Sequence, residues 1–169
     1  MDDIDRQLID LLQRDATLSI AQMAERVGLS ATPCWKRIQK LEAQGVITRR
    51  VAIVDPERVG VGLSVLVSIE AGEHTPEWLA SFRAGVSAMP EVMEVYRMAG
   101  DVDYMLRVAV ADMSEYDAFY KRLIAVAPMK NVTSRFAMER MKHTTAYPLH
   151  PRAFRDRRSP ENGNSGEEE

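Results

Sequence analysis

The stretch Ser30-Ala31-Thr32-Pro33-Cys34-Trp35-Lys36-Arg37-Ile38-Gln39-Lys40-Leu41-Glu42 reads as one helix with a buried stripe and a basic outer face. Cys34, Ile38 and Leu41 recur at i, i+4 and i+7, the spacing a helix turns toward a core. Lys36, Arg37 and Lys40 fall off that stripe and stay in water. Ser30 can cap the first turn, or Thr32 can with Pro33 at the first helical position, and Gly45 ends the helix. A capped helix, basic on its free face and preceded by a glycine turn, has the form of a recognition helix for the DNA major groove. A surface helix with a solvated basic face has the same pattern, so its neighbours decide between the two.

Upstream, Ile4, Leu8, Leu11 and Leu12 form one apolar stripe, and Ile20, Met23, Ala24 and Val27 form a second that starts near Ser19 and ends at Gly28. Helix, short glycine-containing turn and helix is the order of helix-turn-helix proteins, and the third helix supplies a core that two could not enclose. Downstream, residues 46–54 are rich in β-branched side chains and are expected to be extended. Asp55-Pro56 breaks them, so this segment reads as both wing and joint.

From Gly60 the rhythm changes. Residues 63–70 alternate as a strand does. Thr75-Pro76 opens a helix carrying Trp78, Leu79, Phe82 and Val86, which Met89-Pro90 closes. Strands are expected over 92–98 and 104–110, around the hairpin signal Ala99-Gly100-Asp101-Val102-Asp103. Ser114, with Asp117 three residues on, is expected to cap a helix burying Tyr116, Phe119, Tyr120 and Leu123. A last strand is expected over 132–141. The order β-α-β-β-α-β predicts a ferredoxin-like sandwich, an α+β fold with two helices on one face of an antiparallel sheet. Apolar residues pointing both ways predict a second subunit over the other face. The domain reading is therefore 1–50 winged helix-turn-helix, 51–60 linker strand or hinge, 61–150 ferredoxin-like domain and 151–169 disordered tail, basic then acidic.

The 169 residues carry 22 Lys and Arg against 25 Asp and Glu, a net charge of −3, which argues against a protein that coats nucleic acid by charge alone. Local charge matters more for steering to phosphates. Residues 30–50 hold five basic side chains (Lys36, Arg37, Lys40, Arg49, Arg50) and one acid, Glu42, whereas the first ten residues hold four Asp. The single cysteine excludes an intrachain disulfide and a multi-thiolate metal site. His74, His143 and His150 are too scattered for a metal set, so neither metal nor cofactor is expected. With no leader and no membrane-spanning run, the expectation is a cytoplasmic protein without a membrane partner.

Three stretches together resemble the Lrp/AsnC (feast/famine) transcriptional regulators: Leu29-Ser30 through Cys34 to Arg37 with Leu41-Glu42 and Gly45-Val46-Ile47; Gly100-Asp101-Val102-Asp103-Tyr104; and Phe136-Ala137-Met138-Glu139 with Lys142. Thr32-Pro33-Cys34-Trp35-Lys36-Arg37, Arg97-Met98-Ala99-Gly100 and Val132-Thr133-Ser134 resemble the DecR-like, cysteine-responsive branch of that family. The resemblance implies a homodimer, assembling further to a tetramer or octamer. It also implies an amino-acid effector, L-cysteine if the branch holds, at subunit contacts of the C-terminal domain. Gly100, Asp101 and Asp103 match the hairpin that holds the ligand in relatives, and Ser134 matches a hydroxyl position on the last strand. Val132 stands where many relatives have Thr, and Met129-Lys130-Asn131 replaces the usual Pro-Gly turn.

Read without the resemblance, each of these residues has a plainer role. Gly and Asp are what tight turns demand, so the hairpin alone reads as a turn. Its chemistry still suits an amino acid, with a carboxylate for the ammonium and free backbone N–H groups for the carboxylate. Cys34 reads as a small core hydrophobe, with a redox-sensing thiol near a helix N-terminus as the alternative, and Trp35 as a residue packed on the first helix, at the core or its edge, or else laid along the DNA backbone. The double-stranded DNA contacts expected are Ser30, Thr32, Pro33 and Lys36 at the bases and helix start, and Arg37, Lys40 and Arg49 at phosphates. No phosphate loop, zinc-helix motif or nucleophile motif supports an enzyme. The rival functions are a ferredoxin-like binding or catalytic domain with a helical appendage, and an architectural DNA-binding protein without effector.

Overall fold

The computed structural model describes residues 1–149, so the tail expected from 151 lies outside the described residues. It divides into two compact units, one built on Met1–Val51 and the other on Ala52–Met141.

The first unit holds three helices, α1 (Asp3–Arg14), α2 (Ile20–Arg26) and α3 (Ala31–Ala43). The cap of α1 is a reciprocal capping box: the Asp5 backbone N–H donates to Asp2 Oδ1 at 2.9 Å, and the Asp2 N–H donates to Asp5 Oδ2 at 3.0 Å. Ser19 and Gln22 do the same for α2. Each box satisfies donors that a helix start otherwise leaves open. Leu8, Met23, Cys34 and Ile38 meet in the core of the three helices, each 1% exposed or less. Gly28 and Gly45 follow α2 and α3 with φ of 69°, the left-handed turn that glycine makes without a Cβ penalty.

Residues 46–54, expected to be extended, form no strand. The Val46 and Ile47 N–H groups close onto the Leu41 carbonyl, and Val51, Ile53 and Val54 are 61–65% exposed. β-branched residues favour an extended backbone, but a ladder requires a neighbouring strand, and among the described residues no strand pairs with them. The described residues from Lys142 onward belong to the helical unit, although the sequence pattern extends the second domain to 150. The Gln13 amide grips the Tyr147 backbone there, accepting from its N–H at 2.7 Å and donating to its carbonyl at 3.2 Å.

The second unit runs β1 (Leu63–Ala71), α4 (Pro76–Ser87), β2 (Val92–Arg97), β3 (Tyr104–Val110), α5 (Met113–Ile124), β4 (Met129–Phe136). The sheet order is β2-β3-β1-β4 with every pairing antiparallel, the ferredoxin-like topology. Two elements end more than one residue from expectation. Asp112 rather than Ser114 caps α5, because its carboxylate accepts from both the Ser114 and Glu115 N–H groups. The last strand spans 129–136 instead of 132–141, since its pairing with β1 begins at Ala71↔Met129 and its last register pair is Val65↔Phe136.

Val65, Val67 and Ile69 of β1 and Leu106, Val108 and Val110 of β3 are fully buried on the helix-covered face. The opposite face is mixed rather than apolar. Leu66 and Tyr96 are exposed there, while Arg107 pairs with Glu94, and Arg135 Nη1 donates to Ser68 Oγ at 2.8 Å.

Gly85 of α4 packs closely against Val126 in the segment after α5. A Cβ built on it would lie 2.3 Å from Val126 Cγ1 and 3.1 Å from Val126 Cβ. Valine is stiff at χ1 and cannot swing aside. In Gly85→Ala, overpacking strain of about 1–3 kcal/mol should therefore outweigh the helix-propensity gain of about 1 kcal/mol. Urea unfolding should show a net loss that Val126→Ala restores in the same chain.

Candidate functional site

On α3 the buried stripe leaves an outward row of Thr32, Lys36 and Gln39, with Lys40 beside it, all exposed. Ser30 is the N-cap, but its side chain makes no capping bond, and Pro33 falls at the third helical position. Its hydroxyl and those early side chains are thus not consumed in holding the helix. Arg49 lies exposed beyond the helix end. Trp35 is 48% exposed on one flank of the row instead of packed away.

Arg37 occupies the other flank, and its surroundings differ. One guanidinium nitrogen donates to Asp2 Oδ2 and to Asp5 Oδ1, both at 2.7 Å. The carboxylates that cap α1 thus also hold α3. The Asp5 backbone N–H, followed by the Arg37 guanidinium, holds the Asp2 carboxyl below the usual carboxylate range. Asp5 is only 8% exposed, so the pair joins the two helices at the margin of the core. This accounts for two of the four early aspartates. Cys34 is fully buried, and burial pushes its thiol up, away from the thiolate needed for redox chemistry.

The charge pattern of the sequence does not mark Gln39, although helical spacing places it seven residues after Thr32 and three after Lys36. Its Nε2 donates to Glu42 Oε2 at 3.0 Å, and Arg50 Nη2 donates to Glu42 Oε1 at 2.8 Å.

In the second unit, Gly100 and Asp101 are exposed in the β2–β3 connection, and Gly100 has φ of 137°. Asp103 is a structural residue as well as a candidate ligand contact. Its backbone N–H donates to the Ile69 carbonyl at 2.9 Å, and its Oδ2 accepts from the Ala71 N–H at 2.8 Å. That amide lies where the β1–β4 register shifts, between Glu70 and Ala71. A register break interrupts the regular ladder, and a side-chain acceptor keeps the amide satisfied there. Asp103 Oδ1 stands 3.8 Å from His74 Nε2, a neighbour that no sequence spacing announces.

Ser134 is not beside this hairpin. It lies across β1 from β3, opposite Val67, which in turn faces Leu106. Asp103 is thus displaced by about 10 Å along the strand and about 10 Å across the sheet. The Ser134 hydroxyl instead bonds the Tyr116 hydroxyl of α5. Burial pushes the Tyr116 phenol up, and the Ser134 bond opposes that shift. The chain therefore brings together Gly100, Asp101 and Asp103 but leaves Ser134 apart.

Among the described residues no helix is long and apolar enough to cross a membrane, and no group of three or more His, Cys, Asp or Glu could hold a metal ion.

A three-helix unit whose third helix carries an exposed polar and basic row, followed by a ferredoxin-like sheet, has the architecture of a helix-turn-helix domain with an appended α+β domain. Comparison with known proteins gives the same division. Residues 1–42 match the AsnC-type helix-turn-helix domain, and residues 64–147 match the Lrp/AsnC ligand binding domain. The DNA-binding transcriptional activator DecR of Escherichia coli K12 is 50% identical over 150 residues, covering 88% of this chain and 99% of that protein. An AsnC family transcriptional regulator from Agrobacterium tumefaciens superposes with a TM-score of 0.85 at 55% identity, covering 88% of this chain and 97% of the other. A Neisseria meningitidis transcriptional regulator in complex with L-Met gives a TM-score of 0.84 at 29% identity with the same two coverages. The chain belongs to the Lrp/AsnC family of DNA-binding transcriptional regulators.

Proposed function

We propose that this protein is a sequence-specific DNA-binding regulator whose affinity for its operator is set by a free amino acid. Thr32, Pro33 and Lys36 read base edges, with Ser30 at the helix start, while Lys40 and Arg49 hold phosphates. Arg37 reaches a phosphate only from within its pair with Asp2 and Asp5, and its first task is to position α3. The protein acts in the cytoplasm as a regulator and not as an enzyme. A homodimer is formed through the open sheet face, where Arg107 is paired with Glu94 and Arg135 donates to Ser68, and presents two recognition helices to two half-sites. Tetramers or octamers of that dimer are the further assembly expected.

The effector is an α-amino acid at the Gly100, Asp101 and Asp103 hairpin near a subunit contact, where Ser134 is supplied from elsewhere in the assembly. The observation that carries this reading is the Neisseria regulator, alike in fold and bound to L-Met. L-cysteine is the favoured ligand because of the DecR-like motifs. The Asp103 carboxylate takes the ammonium group, and the free N–H groups of the turn take the carboxylate. A ligand acts on DNA affinity only by preferring one arrangement of subunits, and a coupling of about 1–3 kcal/mol changes affinity roughly 5- to 150-fold.

Asp103→Asn separates this role from the structural one. An asparagine oxygen still accepts from the Ala71 N–H, whereas the negative charge is gone. Calorimetry with L-cysteine and the other free amino acids should show binding that the variant weakens about tenfold or more, with unchanged thermal stability and unchanged ligand-free DNA binding. Binding of a different amino acid corrects the ligand identity. Binding of none removes the effector mechanism and leaves an architectural DNA-binding protein.

A further inference from the structure

We propose that Gln39 reads an adenine in the major groove, held in its reading position by Glu42 and Arg50. The inference rests on α3 being the base-reading helix.

A glutamine amide offers two donors and two acceptor lone pairs, and it can lie either way round until its surroundings choose. Here the choice is forced. A carboxylate accepts and never donates, so the group facing Glu42 Oε2 at 3.0 Å is the Gln39 NH2. Glu42 is itself anchored, because its other oxygen accepts from Arg50 Nη2 at 2.8 Å. One N–H of Gln39 is thereby used. The second N–H and the carbonyl oxygen meet no hydrogen-bond partner among the described residues, and the side chain is exposed on the outward row of α3.

With Glu42 taking the N–H that points away from the carbonyl, the remaining N–H beside the carbonyl oxygen is the complement of the adenine major-groove edge. The N–H donates to N7 and the carbonyl oxygen accepts from the N6 amino group. With Glu42 on the remaining N–H, the adenine contact satisfies both donors and the carbonyl. Guanine presents two acceptors and would leave the glutamine oxygen facing O6 or N7.

Position on the helix supports the same role. Gln39 follows Lys36 by three residues and Thr32 by seven, a spacing that puts all three on one side of the helix. Lys36 and Gln39 are about 4.5 Å apart along the axis, close to the rise between stacked base pairs, so neighbouring pairs come within reach of the two side chains. One turn before Gln39 stands Trp35, a 48% exposed indole that offers apolar surface to a thymine methyl group. Glu42 can stand near a phosphate-lined groove because Arg50 offsets its charge. Glu42 and Arg50 are positioning residues, while Gln39 makes the contact.

The test uses the full chain and a pool of randomised DNA duplexes. Wild-type protein should select a sequence with adenine at one defined position of each half-site. Gln39→Ala should lose about 5- to 150-fold of the discrimination at that position, with the other positions and the salt dependence unchanged. Glu42→Gln and Arg50→Ala should each relax the same position, which a merely structural role would not single out. If Gln39→Ala selects the same sequence with the same preference everywhere, the assignment is overturned. It is equally overturned if the variant weakens all sequences alike and flattens the salt slope, since that is the mark of a phosphate contact. Failure of the wild type to select any sequence would instead overturn the proposed sequence-specific function, so the two failures are distinguishable.

Discussion

Phe82→Ala should remove about 3–5 kcal/mol of stability from the sheet unit, a large share of the total of about 5–15 kcal/mol typical of a native domain. The ring is 1% exposed on the inner face of α4. It stacks on Trp78 with centroids 5.0 Å apart and planes 14° from parallel, and it meets Tyr104 of β3 at 4.6 Å. Alanine therefore loses the transfer energy of a whole ring and leaves a cavity between helix and sheet that two rigid aromatics cannot collapse to fill. Trp78 reports the transition directly, because it lies in the damaged cluster, and its indole N–H to the Pro128 carbonyl at 2.6 Å holds it in place. Urea unfolding followed by tryptophan fluorescence should show the midpoint falling steeply. Phe82→Leu, which refills most of the space, should lose much less. A loss below about 1 kcal/mol for alanine would mean that the helix is not packed on the sheet through this ring.

Replacing Lys36, Lys40 and Arg49 together by alanine should abolish specific operator binding at physiological salt while leaving the fold intact. All three are exposed, and substitutions at such positions stay within about 0.5 kcal/mol of wild-type stability. Removing a cation that neutralises one phosphate flattens the slope of log affinity against log salt by about one unit. Lys36 carries in addition about 1–3 kcal/mol of base discrimination if it reaches a guanine edge. Gel retention at several salt concentrations reads both effects. Arg37 is left out of the set because Asp2 and Asp5 hold it, so its removal would loosen α1 from α3 as well as weaken any DNA contact. Unchanged operator binding by the triple variant would remove α3 from the interface.

Much of this arrangement is legible in the chain because it is encoded locally. The Cys34, Ile38 and Leu41 stripe predicts which side of α3 is buried, and the structure buries all three. Thr75-Pro76 opens α4, and Ser19 opens α2, through side chains that act within three residues. The alternation in β1 and β3 orients Val65, Val67, Leu106 and Val108 inward, and the order of elements implies the ferredoxin-like sheet that forms. Where two local signals compete, the chain is less decisive. Asp112 and Ser114 both suit a helix start, and the aspartate prevails because one oxygen reaches two backbone N–H groups. Gln39 is hidden for a different reason: it carries no charge, so it does not stand out beside Lys36, Arg37 and Lys40, although the helical period contains it.

By itself, then, the sequence determined the elements, their buried faces and the helix-turn-helix followed by an α+β sheet, because periodicity, capping and turn chemistry act over a few residues. Only the tertiary structure decided what each polar side chain meets. It turned Arg37 toward aspartates 35 and 32 residues away and bound Asp103 to an amide 32 residues earlier. It also gave Ser134 to Tyr116 instead of to the hairpin, and it tied Tyr147 to Gln13 across 134 residues. A hydrogen bond requires a donor and an acceptor to meet at about 3 Å in the right direction, and no spacing along the chain specifies that meeting until the backbone has folded around it.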